Sequence, residues 1–289
     1  MTTKKVILTL FQLLMLHVAF AQIDSVPLTD STIVKTQAVP KNENIYKFTP
    51  AVDIPIIAVA GGWSGYAFTK IYDKDNSTIE DIATLDKNDI PKFDRWAAGM
   101  SNEAADNASD YLFYGSIPYT FSLFLDKRIR QDALKISALY LEAMSITGLL
   151  YTGSVYFVDR YRPETYDTSI PITDRTSPGY KNAFFAGHPA LVATGTFFMA
   201  SVYGSYHPES NYKYVFYGVA VAATGTTVYL RHIAGKHFPS DLLIGTTVGT
   251  LSGLLVPRLH KINAKDQRLG LYPFGDGKIR GITAVYKMY

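Results

Sequence analysis

Five long, mostly apolar segments constrain this chain most: Tyr111 to Leu125, Leu134 to Val158, Ala183 to Gly204, Tyr214 to Leu230 and Leu242 to Val256. They read as helices, and several are apolar on every side rather than along one stripe. A helix without a polar face belongs either inside a large bundle or in a membrane. Composition agrees with an extensive core, because 47% of the 289 residues are hydrophobic and only 18% are charged. Lys+Arg 28 against Asp+Glu 25 excludes both a nucleic-acid-coating basic protein and a disordered acidic one. Cysteine is absent, which removes thiol nucleophiles, thiolate zinc sites and disulfide scaffolds from consideration.

Residues 1–21 read as a removable secretory signal. Lys4 and Lys5 precede the apolar stretch Val6 to Phe20, and Ala19-Phe20-Ala21 has the small-x-small form of a cleavage site. The stretch is shorter than the roughly 20 residues that cross a bilayer. Export of this kind places the protein in a bacterial-type cell envelope. Residues 22–110 read as a polar lead-in, with an amphipathic helix around Phe93 to Ala108. Within it Ile54 to Ile71 is apolar, but Gly61-Gly62-Trp63-Ser64-Gly65 makes a poor spanning helix, so the segment is expected to be interfacial or packed against the bundle.

Residues 111–256 form the expected helical core and 257–289 a basic tail. In the tail, Leu271 to Phe274 and Ile279 to Tyr286 flank the turn signal Gly275-Asp276-Gly277, which suggests a short hairpin. The expected fold is therefore an all-α, multi-helix bundle, membrane-embedded with about five spanning helices and a short C-terminal β-hairpin. The soluble alternative rests on a mean hydropathy of only +0.04.

Loop charges give an orientation. Lys127, Arg128 and Arg130 follow the first segment, and Arg258, Lys261, Lys265, Arg268, Lys278, Arg280 and Lys287 follow the fifth. If both groups are cytoplasmic, the connections after the second and fourth segments face outward, together with the start of the third. These carry Asp159-Arg160-Tyr161-Arg162-Pro163, Ala186-Gly187-His188-Pro189 and Arg231-His232-Ile233-Ala234-Gly235-Lys236-His237-Phe238-Pro239-Ser240-Asp241. Parity thus brings two arginines, two histidines and an aspartate to one face.

The chemistry such a set can perform is specific. His188 and His237 stand at helix starts, where free N–H groups and the positive helix end favour an anion. Arg162 and Arg231 add planar forks that match phosphate oxygens. Asp241, four residues after His237, can hold its imidazole in one tautomer and leave the far nitrogen to attack phosphorus. His188 would then protonate the leaving alkoxide. A zinc ion on His232, His237 and Asp241 is the competing reading, opposed by the two nearby arginines.

Arg231-x5-His237-x3-Asp241, with Gly235 and Phe238-Pro239-Ser240 inside it, resembles the third signature of the type 2 phosphatidic acid phosphatase and vanadium haloperoxidase superfamily. Gly187-His188 resembles its second signature and Arg162-Pro163 its first, in the same order. The resemblance implies a helical-bundle phosphatase working through a phosphohistidine on His237. His188 and Asp241 would be its catalytic partners, and Arg162, Arg231, Gly187 and the Ala186 backbone N–H would bind phosphate. It calls for no metal or other cofactor, and makes the partners a lipid phosphate or small phosphate ester and the membrane.

Three positions depart from the signatures. Val155 stands where the family has lysine, Phe185-Ala186 where it has proline-serine, and Leu230 where it usually has serine. Arg160, Lys181 or Lys236 can supply the missing cation from another direction. Other readings compatible with the same anion pocket are a weak or inactive phosphate-binding relative, a vanadate-dependent haloperoxidase and a soluble periplasmic phosphatase.

Overall fold

The computed structural model describes residues 45–262, and the backbone of 269–275 and 280–286. Six long helices run between two ends of a bundle: α1 (Pro50–Lys70), α2 (Glu103–Phe121), α3 (Ala133–Phe157), α4 (Gly187–Tyr206), α5 (Tyr212–Ile233) and α6 (Pro239–Leu259). Local chemistry starts them. Asn102 Oδ1 accepts the Ala105 N–H at 2.9 Å to cap α2, and Asp241 Oδ2 accepts the Phe238 N–H at 2.9 Å to cap α6, which opens on Pro239. Thirteen of the twenty residues of α4 are buried, making it the central helix, with α2, α3, α5 and α6 packed around it. Beyond the bundle, Leu269–Gly275 and Arg280–Tyr286 pair as an antiparallel two-stranded ribbon.

The two ends are chemically different. At one, the Lys47 N–H donates to the His260 carbonyl at 2.7 Å, and the Ile262 N–H to the Ile45 carbonyl at 2.9 Å. His207 Nε2 meets Asp126 at 3.0 Å there, so Lys127, Arg128, Arg130 and Arg258 gather at this end. At the other, Asn182 Nδ2 donates to the Ile71 carbonyl at 2.8 Å and the Glu164 N–H to the Gly235 carbonyl at 2.9 Å. The connections 71–102, 158–186 and 234–238 therefore share one end.

Several expectations need correction. In place of about five spanning helices, three among the described residues are long and apolar enough to cross a membrane: α1, α3 and α6. α2, α4 and α5 do not reach that standard, because their interiors carry Ser, Thr and Gly. Many of those hydroxyls, such as Thr120, Thr194, Thr196 and Thr227, bond back to carbonyls one turn earlier. Ile54 to Ile71, expected to be interfacial or packed against the bundle, falls in the continuous helix Pro50–Lys70, which does pack against α3 and is also long and apolar enough to span. Its glycines serve close packing: a Cβ on Gly61 would stand 3.1 Å from Ser145 Oγ, and one on Gly148 only 2.7 Å from Ser64 Oγ. The amphipathic helix expected over Phe93 to Ala108 is instead a 3-10 turn at Arg95–Ala97, and the first apolar segment belongs to a helix beginning at Glu103. The proposed signal and the lead-in up to residue 44 lie outside the described residues.

Exposed apolar side chains belt the three candidate spans, among them Val59, Tyr66 and Phe68 on α1, Leu134, Leu141 and Phe157 on α3, and Leu243 and Leu251 on α6. Surface of this kind supports membrane association.

The closest helix pair is α4 with α6. Gly245, Gly249 and Gly253 recur every fourth residue on α6 and face the carbonyls of Ala186, Ala190 and Thr194, spaced identically at the start and along α4. A Cβ on Gly249 would stand 2.0 Å from the Ala190 oxygen, which is backbone and cannot move aside cheaply. This is small-residue packing, in which helices approach until their backbones touch. Gly249→Val should lower stability by about 3 kcal/mol or more, at or beyond the upper range for overpacking. Gly218→Ala on α5, with open space around the new methyl, should be neutral or stabilising by up to about 1 kcal/mol. Thermal unfolding in detergent checks both, and equal midpoints for the two variants would contradict the packing argument.

Candidate active site

The α4–α6 seam sets the start of both helices side by side, and the ends of α3 and α5 arrive at the same place. Gly235, between α5 and α6, has φ +70, and a Cβ there would meet the Met100 carbonyl oxygen at 1.7 Å. The turn that delivers His237 therefore depends on glycine. Gly187 is confined in another way: a Cβ on it would lie 2.7 Å from the Tyr151 ring.

His237 is 2% exposed, and its Nδ1 lies 2.7 Å from the Ala183 carbonyl oxygen. A carbonyl only accepts, so Nδ1 carries the proton and the neutral ring keeps its lone pair on Nε2. Burial, followed by the charges of Arg231 and Arg162, holds this imidazole well below its ordinary pKa. His188 Nε2 contacts Asp110 at 2.9 Å, and the ring leans on Phe113 with centroids 4.9 Å apart. Burial and then Arg231 and Arg162 push His188 down to about 3. Burial, with Asp106 next in effect, pushes the Asp110 carboxyl up.

The two arginines are held by carboxylates. Arg231 Nη1 donates to Asp106 and, at 3.3 Å, to Ser109. Arg162 Nη1 reaches Glu164 at 3.5 Å. Lys236 Nζ bonds Glu164 at 2.8 Å and Asp106 at 3.2 Å, so one carboxylate of α2 is shared between Arg231 and Lys236. Both Arg162 and Arg231 nevertheless keep a buried Nε–H with no hydrogen-bond partner. Buried guanidinium donors are ordinarily satisfied. Arg231 is lowered by burial and then by the neighbouring Arg162 charge, so the two guanidiniums lie close enough to repel each other.

Four of the five side chains singled out by spacing thus converge: Arg162, His188, Arg231 and His237. Asp241 stands apart from the His237 ring nitrogen it was expected to hold. Its carboxylate accepts from Arg160 and from the Phe238 N–H. Arg160 also bonds Asp94 at 2.7 Å and Ser240 at 2.9 Å, and lies over the Phe238 ring at 4.8 Å. Asp241 therefore braces the loop that carries His237, while Ala183 orients the ring. The Ala186 N–H, expected to face phosphate, donates to the Asp241 carbonyl at 3.1 Å. Of the three cations suggested as substitutes at Val155, Lys236 reaches the site. Lys181 binds the Asp75 carbonyl at 2.7 Å and Arg160 is engaged behind Asp241.

Comparison with protein families meets this geometry. Residues 137–265 match the model of the PAP2 superfamily. The segment is a PAP2 superfamily domain. No curated protein and no solved structure matches the chain. The PAP2 domain contains Arg162, His188, Arg231, His237 and Asp241, whereas α1 and the carboxylates Asp106 and Asp110 lie outside the matched residues. Spacing gave no reason to select Asp106, Asp110 or the Ala183 carbonyl. The one available signal was the i, i+4 pair of aspartates in a segment that proves to start a helix.

Both histidines are lowered in the folded chain, so unfolding takes up protons below pH 6.5 and stability falls as the solution is acidified. For fully buried His237 this loss grows as the pH falls below 6.5. His188, with 29% of its side chain exposed, contributes less. His237→Gln should flatten the fall of the unfolding midpoint between pH 7 and 5; an unchanged slope would contradict a neutral buried imidazole.

Proposed function

We propose that the PAP2 domain is a phosphatase that cleaves a phosphate monoester or diphosphate, most readily of a lipid, through a phosphohistidine on His237. The observation that carries this reading is the pair of buried, unpartnered Nε–H groups on Arg162 and Arg231 beside an imidazole whose lone pair resides on Nε2. Two forks and a neutral nucleophile suit a tetrahedral anion.

In the proposed reaction Nε2 of His237 attacks phosphorus and the bond to the ester oxygen breaks. His188 gives its proton to the leaving alkoxide, then takes one from the water that hydrolyses the phosphohistidine. At rest His188 is too weakly basic to hold that extra proton. A phosphate dianion between the arginines offsets the two charges that depress it and so readies the acid as substrate binds. Val155, Ala186 and Leu230 offer no side-chain donor, and each missing charge-assisted bond is worth about 1.5–3 kcal/mol. Slow turnover is expected, with Lys236 making good part of the loss. The apolar belts support a substrate presented at a membrane surface.

His237→Ala should abolish both hydrolysis and acid-trapped phosphoenzyme while phosphate binding persists; residual phosphoenzyme would remove His237 from this role. Arg162→Lys and Arg231→Lys should each raise the inhibition constant for inorganic phosphate about tenfold or more, the loss of one charged hydrogen bond. Unchanged inhibition would count against an arginine clamp.

We infer that the site faces outward, because Lys127, Arg128, Arg130, Arg258 and Lys261 lie at the opposite end. α1 runs from that basic end to the site end, so residue 45 would then lie on the inner side. Cysteine-free sequence makes the test direct: a membrane-impermeant maleimide should label Ser169→Cys and not Gln131→Cys in sealed cells or spheroplasts. The reverse pattern would overturn the outward orientation.

A further inference from the structure

At the end of the bundle away from the arginine pair, three side chains from three separate segments meet. His260 Nε2 lies 3.4 Å from Asp53 Oδ1 and 3.5 Å from Glu142 Oε2. The three potential ligand atoms all lie within 4.8 Å of one another. Asp53 is 2% exposed and Glu142 3% exposed.

The outer atoms of His260 and Asp53 each have an orienting contact. His260 Nδ1 is 2.8 Å from the Val256 carbonyl, so it carries the proton and Nε2 is the nitrogen presented to the carboxylates. Asp53 Oδ2 accepts the Thr49 N–H at 2.5 Å, leaving Oδ1 toward the centre. Glu142 Oε2 is buried and has no hydrogen-bond partner. A backbone carbonyl on the far nitrogen is the usual support for a metal-binding histidine.

The spacing is longer than that of a close ion pair. A protonated imidazole bonded to a carboxylate sits about 2.7–2.9 Å away. Ligand atoms about 2.0–2.1 Å from a tetrahedral ion stand about 3.3 Å from one another, close to the two observed separations. The two buried carboxylates share one imidazole, with Lys47 and Lys261 at the edge of the adjoining cavity, and burying carboxylates without a close cation is costly.

We propose that Asp53, Glu142 and His260 bind one divalent transition-metal ion of the zinc type. A cavity of about 310 Å³ adjoins Asp53 and His260 and is bounded by Lys47, Thr49, Leu259 and Ile262, leaving room for a water at the fourth position. Asp53 lies on α1, outside the PAP2 domain, whereas Glu142 and His260 lie inside it. The ion thus clips the preceding helix to the domain, a structural role independent of the phosphatase reading.

The test uses the full-length chain in detergent, stripped with a chelator and then given Zn²⁺ or Co²⁺ alone. One equivalent of Zn²⁺ should be retained by elemental analysis, Co²⁺ should give visible d–d absorption, and Zn²⁺ should raise the unfolding midpoint. Glu142→Gln keeps the shape of the side chain, and together with His260→Gln it should raise the Zn²⁺ Kd at least about tenfold and remove the Zn²⁺-dependent gain in midpoint. Phosphate binding at Arg162 and Arg231 reports in each variant that the bundle is intact. Substoichiometric Zn²⁺ in the unaltered chain, or an equal gain in both variants, would overturn the proposal.

Discussion

Backbone contact between α4 and α6 is the constraint on which the rest depends. Gly245, Gly249 and Gly253 present no side chain to the Ala186, Ala190 and Thr194 carbonyls. The two helices can therefore start almost together, and their first residues are the ones that carry His188 and His237. A methyl group at Gly245 would already meet the Ala186 oxygen at 2.3 Å, at the mouth of the site. Packing and chemistry are thus one problem in this segment. The same seam uses the Ala186 N–H, through its bond to the Asp241 carbonyl, so a donor available to phosphate on sequence grounds is spent on holding the helices together.

Polar groups accumulate in two layers around that seam. Near the site, Arg160 links Asp94, Ser240 and Asp241 into a brace behind the His237 loop, and Asp106 and Glu164 hold the cations in front of it. Deeper in the bundle, hydroxyls such as Thr147 and Thr194 bond each other at 2.8 Å as well as their own helix carbonyls. Interiors built this way lower the apolar content of the helices while most of these hydroxyls find a partner, Thr224 on α5 being buried without one.

What the sequence revealed follows from which interactions are local. Helical segments and the spacing of Arg231, His237 and Asp241 are written into consecutive residues, and alternation of helix direction sufficed to bring Arg162 and His188 to the same end. Partner choice is different. Asp241 lies one helical turn beyond His237, but the carboxylate turns to Arg160, and the imidazole turns to a carbonyl of the preceding loop; residue spacing does not encode that exchange. In Ile54 to Ile71 glycine weakens an isolated helix and yet permits close approach to α3, where Ser64 and Ser145 lie opposite. Asp106 and Asp110 escaped notice because their helix begins within a stretch that reads as polar connection.

Asp106 has a further consequence. In the proposed reaction, the carboxylate that bridges Arg231 and Lys236 is a resident rival for the incoming phosphate. A guest must displace it or share its cations, so part of the attraction between anion and pocket is consumed in rearranging an ion pair already present. The same rival returns once the ester bond has been cut, and an otherwise strongly cationic bowl gains a means of expelling inorganic phosphate instead of becoming trapped with it.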